Sequence, residues 1–312
     1  MSDYPQFTVV IPAYNAGGFL AETLQSVLAQ TYPPAEIIVV DDGSKDNTAE
    51  VAESFGERVR LIRQVNAGVS ASRNAGTAAA STEWVSFLDA DDLWLPNHLL
   101  AHAAALAADP AADFCYSTYR TIRRSEGETA WIPGPAVIPP APEVFAQAVM
   151  DRCLIIPSIT SMRRSTLLDM GGFDGRFNAV EDWDCWIRLS RRGARVVRVI
   201  ELTSQYRIHP SQATGDPFAN FERIAYVLNN SILPNLPRWR RIPRKIRMMS
   251  RFEGEVAIML RERGRPGAAA MMIRSILHHP FHEARRYKIL AHLLLKGYPQ
   301  AAPLPEKSRA AS

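Results

Sequence analysis

A chain of 312 residues exceeds the usual span of one hydrophobic core, so a large domain with an appendage, or two domains, is expected. With 47% hydrophobic and 22% charged residues it is not a disordered chain, and no run approaches the ~20 apolar residues of a membrane span. The net charge of +4 hides an asymmetry: from Pro237 onward 17 Lys/Arg face 5 Asp/Glu, which puts +12 on the tail and −8 on the rest.

The first ~115 residues alternate strand and helix signals in the manner of a doubly wound sheet. Phe7 to Pro12 reads as a strand, with the chain turning at Pro12 because proline lacks an N–H. Phe19, Leu20, Leu24, Val27 and Leu28 have helical spacing, and Pro33-Pro34 stops that helix. Glu36 to Val40 is a second strand, closed by Asp41-Asp42-Gly43-Ser44, and Thr48 to Phe55 a helix. Arg58 to Gln64 is a third strand, Asn66-Ala67-Gly68 a turn, and Ser70 to Thr77 opens an Ala-rich helix. Trp84 to Leu88 is a fourth strand, and a helix begins near Pro96, with Asp92 as its cap. Asp113 to Tyr119 and Glu201 to Ile208 also read as strands, whereas the prolines between Trp131 and Pro142 mark a loop or linker. Beyond about Pro217 the pattern is helical and basic.

The opening Met1-Ser2-Asp3-Tyr4-Pro5-Gln6 lacks the features of a secretory signal. Cys115, Cys153 and Cys185 are odd in number and widely spaced, so they read as reduced thiols of a cytoplasmic protein.

Asp89, Asp91 and Asp92 follow an apolar strand and so fall at a sheet's carboxyl edge, where open α/β folds bind ligands. Alternation puts Asp89 and Asp91 on one side of the chain, and a divalent cation would relieve their repulsion. The alternative is an acidic turn that caps the next helix. No Gly-x-Gly-x-x-Gly or phosphate loop follows the first strand, which argues against a dehydrogenase or a nucleotidyltransferase.

Taken in order, Val9-Val10-Ile11-Pro12-Ala13-Tyr14-Asn15, Val39-Val40-Asp41-Asp42-Gly43-Ser44, Asn66-Ala67-Gly68 with Ser72-Arg73-Asn74-Ala75-Gly76, Asp89-Ala90-Asp91-Asp92, Gly171-Gly172-Phe173-Asp174, Glu181-Asp182-Trp183 and Tyr206-Arg207-Ile208-His209 resemble a family 2 glycosyltransferase. The likeness covers roughly residues 7 to 213. It implies a GT-A-type, Rossmann-like nucleotide-binding sheet (residues 1–115) and an acceptor and catalytic-base region (116–216); the basic helical extension (217–312) lies outside the likeness. It further implies an inverting, non-processive transfer of one sugar from a nucleotide-diphosphate donor, UDP-linked, to an acceptor hydroxyl with Mn²⁺ or Mg²⁺, in cell-envelope or polysaccharide assembly. A binding or scaffold protein of the same fold that has lost activity is the alternative.

By resemblance, Pro12, Tyr14, Asp42, Arg73 and Asp89 contact the nucleotide. Asp91 holds the metal, with Asp89 and His209 beside it. Asp182 is the general base, with Glu181 next to it. The residue chemistry is compatible: Tyr14 offers a ring face and Asp42 an acceptor for an imide N–H. Alternatives stay open. Arg73 can instead pair with Asp89 or Asp42, Asp41 and Asp42 can make an Asx turn, and Glu181-Asp182 can serve a helix dipole. Trp183 is a candidate acceptor platform and Trp186 a core residue. His278-His279-Pro280-Phe281-His282 reads as solvated or packing histidines without acidic partners. No nucleic-acid partner is expected. The basic segment, with Trp239, Ile242 and Ile246 interleaved, is either a peripheral contact with an anionic membrane at its inner face or a packing element.

Overall fold

The computed structural model describes residues 4–123, 132–177, 179–209, 217–262, 266–279 and 285–296, and the chain divides into two units, 1–212 and 213–312. In the first unit, β1 (Phe7–Ala13), α1 (Leu20–Leu28), β2 (Glu36–Asp41), α2 (Thr48–Glu53), β3 (Arg60–Arg63), α3 (Val69–Ala79) and β4 (Trp84–Phe87) alternate as expected. Then come β5 (Leu93–Trp94), α4 (His98–Ala108), β6 (Phe114–Arg123), β7 (Ile132–Val137), α5 (Phe145–Asp151), β8 (Thr160–Arg163), α6 (Arg164–Asp169), α7 (Glu181–Arg191) and β9 (Val196–Ile208).

All nine strands share one sheet in the order β3-β2-β1-β4-β8-β6-β9-β5, with β7 on β6. The β3-β2-β1-β4 half is parallel; its β1 and β2 are packed on both faces and so Val/Ile-rich rather than alternating, while β3 keeps Arg60 and Arg63 exposed. Phe7, Val9, Ile11, Leu20, Leu24, Val27, Val39, Trp84 and Leu99 lie in its core. Antiparallel β8 joins this half to β6 and β9, so the acceptor-side segments continue the same sheet.

Three expectations are corrected here. Pro12 does not end pairing: it stands opposite Val40, and β1 runs on to Ala13. Because β1 pairs with β4 only as far as Val10, the missing N–H costs no ladder bond on that side. The turn follows at Asn15, whose φ is 49°. The proline-rich stretch is a strand rather than a linker over Ile132–Val137. β7 pairs only with β6, and prolines are tolerated on such an edge. Asp92 does not cap α4, whose N-terminal flank is Asn97.

The second unit holds α8 (Pro217–Val227), α9 (Arg238–Glu262), α10 (Ala268–His278) and α11 (Arg285–Lys296). Val256, Ala257, Leu260, Ala268, Met271, Met272 and Ile289 form its apolar core. The expectation that the histidine tract lacks an acidic partner fails at His278, whose Nδ1 lies 2.5 Å from Oε2 of the fully buried Glu253. The turn at Pro210 and the tract's Pro280, Phe281 and His282 lie outside the described residues. Among the described residues no helix is long and apolar enough to cross a membrane.

Candidate active site

The loops leaving β1 and β2 are laced to each other. Asn15 N donates to Ser44 Oγ (2.9 Å), Lys45 N to Asn15 Oδ1 (2.8 Å) and Gly17 N to Asp46 Oδ2 (3.0 Å). Asp41 makes the expected turn, accepting from Ser44 N at 3.0 Å. Asp42 is 3% exposed and binds the next loop, accepting from Gln64 Nε2 (2.7 Å), Ala67 N (2.9 Å) and Gly68 N (2.8 Å). A carboxylate offers roughly four acceptor positions, so these three donors leave about one of them open. Gly68 takes φ 89° at the head of α3, a backbone angle that side chains disfavour. Tyr14 stands 48% exposed at this rim.

Residues 89–92 form a turn closed by Asp92 N donating to Asp89 O at 3.0 Å, so strand alternation does not govern which way Asp89 and Asp91 face. Each acid has its own environment. Asp92 is fully buried, accepting from Ser158 Oγ (2.5 Å) and from the N–H of Arg207 (3.0 Å). Burial first, then Asp91 and Asp89, push its carboxyl well above the usual range. Asp91 Oδ2 lies 2.9 Å from His209 Nε2, and that ring stacks on Phe19 with centroids 4.5 Å apart. Two positions back along β9, the buried Arg207 donates to Glu22 Oε2 (2.9 Å) and Thr23 Oγ1 (3.2 Å), which anchors this end of the strand against α1.

Asp89 does have a basic neighbour. Arg73, 2% exposed, donates through Nη2 to Asp89 Oδ1 and through Nη1 to Glu181 Oε1, each at 2.6 Å. Its guanidinium lies 5.4 Å from the centroid of the Phe173 ring, and Asn74 holds the Phe173 backbone from both sides at 2.8 Å. Burial alone would push the Arg73 pKa down, but the two carboxylates raise it, so the charge is fixed. For Asp89, burial outweighs Arg73 and moves the carboxyl up. Arg73 makes the ion pair with Asp89 that the sequence left open, and a second with Glu181. One guanidinium thus ties the acidic strand end to the head of α7.

The Glu181-Asp182 pair is split by this clamp. Glu181 is buried against Arg73, which donates to its Oε1. Asp182 is only partly buried, accepting from the N–H of Trp183 at 2.7 Å while the Cys153 thiol lies 3.8 Å from its Oδ2. Burial, with Glu181 adding to it and Arg73 opposing, pushes the Asp182 carboxyl up to about 7. Trp183 is no acceptor platform: it is 3% exposed, with Nε1 donating to Val149 O at 2.5 Å. Trp186 is in the core, as expected, with Nε1 donating to Ile155 O at 2.9 Å.

Asp91 offers a carboxylate, which suits Mn²⁺ or Mg²⁺ when substrate phosphates supply further oxygens, and His209 sets an imidazole beside it. Asp89 fits less well as a direct ligand, because Oδ1 is bound to Arg73. Among the described residues no three His, Cys, Asp or Glu side chains converge into a complete protein cage.

Sequence reasoning missed Phe19 under His209, Ser158 and Arg207 around Asp92, and Cys153 beside Asp182. Only Arg207 carried a signal, since it shares a strand face with His209.

The pattern described as Glycosyl transferase family 2 matches residues 8–134. A Rickettsia felis protein described as an uncharacterized glycosyltransferase is 30% identical over 190 residues, covering 60% of this chain and 32% of that protein. Glycosyltransferase GlyA of Streptococcus pneumoniae is 37% identical over 125 residues, 39% of this chain and 18% of GlyA. The chain thus spans a third or less of the length of these relatives. The crystal structure of S. aureus TarS 1-349 in complex with UDP-GlcNAc superposes with a TM-score of 0.59 at 18% identity, covering 96% of this chain and 95% of that one. At that identity the likeness is one of fold. Residues 8–134 thus match the family 2 glycosyltransferase pattern, and the chain shares a GT-A-type fold with TarS.

Proposed function

We propose that this protein transfers one sugar from a UDP-linked donor to an acceptor hydroxyl, with inversion at the anomeric carbon and with Mn²⁺ or Mg²⁺ as cofactor. The observation that carries the reading is the Arg73 clamp, which holds Asp89 of the donor edge and Glu181 beside the candidate base on one guanidinium. UDP-GlcNAc bound to TarS, a protein of the same fold, supports the donor class.

In this reading Tyr14, Asp42 and the 66–68 loop receive the base and Asp89 reaches the ribose side. The acceptor O–H gives its proton to Asp182 while its oxygen bonds to the anomeric carbon. The bond from that carbon to the diphosphate oxygen breaks, and the electron pair leaves with UDP. A carboxylate near pKa 7 is matched to that task at neutral pH. Asp91 and His209 would hold the metal, which when bound offsets charge on the departing diphosphate. In this reading the transfer takes place in the cytoplasm, which three cysteines without a disulfide support, and serves cell-envelope or polysaccharide assembly.

The test is nucleotide release from a panel of UDP-, GDP- and dTDP-sugars with Mn²⁺, with Mg²⁺ and with chelator. Release of UDP that stops with chelator is expected. Donor binding with no release under any condition would favour the inactive binding protein, and release indifferent to chelator would remove the metal.

A further inference from the structure

The N-terminal half of α9 presents an apolar stripe to solvent. Trp239 is 71% exposed, Ile242 70% and Ile246 37%. At 3.6 residues per turn, positions 239, 242, 243 and 246 fall within about 100° of the helix circumference. Exposed Arg238 and Lys245 flank one side of that arc, and exposed Arg240 and Arg247 the other. The opposite face supplies Met248, Phe252 and Val256 to the interior, so the stripe is additional to the packing face. Arg240 lies over the Trp239 ring, 4.5 Å from its centroid.

A second observation comes from the charge. Six cations occupy residues 238–247, and no acidic residue occurs between Glu222 and Glu253. The first turn of α9 contains no acid. Cations at a helix N-terminus oppose its dipole, so this end is electrostatically unfavourable without an external anion. An exposed aromatic and aliphatic arc bounded on both sides by cations matches one occupant, an interface of acyl chains beneath anionic headgroups. Nucleic acid would use the cations and leave Ile242 and Ile246 in water.

We infer that α9 lies in the surface of an anionic bilayer, with Trp239, Ile242 and Ile246 buried among the acyl chains and Arg238, Arg240, Lys245 and Arg247 at the headgroups. This inference is independent of the proposed transfer reaction.

Co-sedimentation of the full chain with vesicles tests it, using phosphatidylcholine alone or with about one-third phosphatidylglycerol. Partition onto the anionic vesicles only, weakened by high salt, is expected. Trp239→Ser with Ile242→Ser should lower partition about tenfold or more, while Trp239→Phe should retain it. Arg238→Gln with Arg247→Gln, which leaves the apolar residues of the stripe in place, should cost about five-fold per cation removed. Circular dichroism checks that each variant keeps its helices. Failure to bind anionic vesicles, equal partition onto both vesicle types, serine variants that bind like wild type, or tight binding to RNA without binding to vesicles would each overturn the inference.

Discussion

Asp182→Asn separates catalysis from folding in one substitution, because the account assigns the wild-type carboxylate a benefit to the reaction and a cost to the fold. The folded carboxyl titrates near 7 against an ordinary value of 3.8, chiefly because it is buried. A raised folded pKa means that the stability contribution is complete below pH ~4 and is lost as pH climbs toward 7. The shift of roughly three units corresponds to about 4 kcal/mol at most, and to about 2 once solvent screening of the exposed edge is allowed for. Asparagine never ionises yet still accepts the Trp183 N–H. The variant's advantage over wild type should therefore grow by about 1–3 kcal/mol between pH 5 and pH 8, at ~2–4 °C in Tm per kcal/mol. Its kcat should fall about 10²–10⁴-fold with donor affinity nearly unchanged. In wild type, kcat/KM should drop roughly tenfold per pH unit below about 7. Thermal melts at the two pH values and steady-state transfer kinetics read both halves. A variant that is less stable at pH 8, or that transfers within a few-fold of wild type, refutes the assignment.

Arg73→Met should destabilise the fold by about 3–5 kcal/mol by stranding Asp89 and Glu181, and a urea-midpoint loss below about 1 kcal/mol would show the clamp is not structural. Gly172 takes φ 75°, and an added Cβ would run into Asn74, so Gly172→Ala should cost about 1–3 kcal/mol and lower kcat by displacing Phe173 from beneath Arg73. A melt and activity equal to wild type would contradict that. Burial holds the His102 pKa down at about 3, below the 6.5 of an exposed imidazole, and His98 is lowered in the same direction. Stability from a depressed histidine is complete above pH 6.5 and shrinks as pH falls. Compared with His102→Asn, wild type should lose about 2 kcal/mol more between pH 6.5 and 5, and parallel pH profiles would exclude the effect.

The strand ends were readable because apolar runs stop abruptly at acids, so Asp42, Asp89 and Asp91 could be placed at one sheet edge from the sequence. What joins them was not readable. Arg73 meets Glu181 across 108 positions, and local pattern cannot distinguish that partner from Asp42 or a ligand. Trp183 failed as a platform because periodicity fixes which face Trp183 and Trp186 share, but not what covers it. β7 was missed because proline content weighs against a strand unless its edge position is known. Asp92 looked like a cap by spacing to α4, yet Ser158 and Arg207, both far along the chain, complete its environment. Asp42 shows the same limit: its place was legible, but its three loop donors come from a turn more than twenty residues away.

Calorimetric titration of UDP with Mn²⁺ into wild type, Asp91→Asn and Asp182→Asn tests the division of labour most directly. Metal-dependent binding in wild type, the same affinity in Asp182→Asn, and loss of the metal-dependent part in Asp91→Asn are expected. Equal binding by all three proteins, or wild-type binding unaffected by chelator, would contradict it.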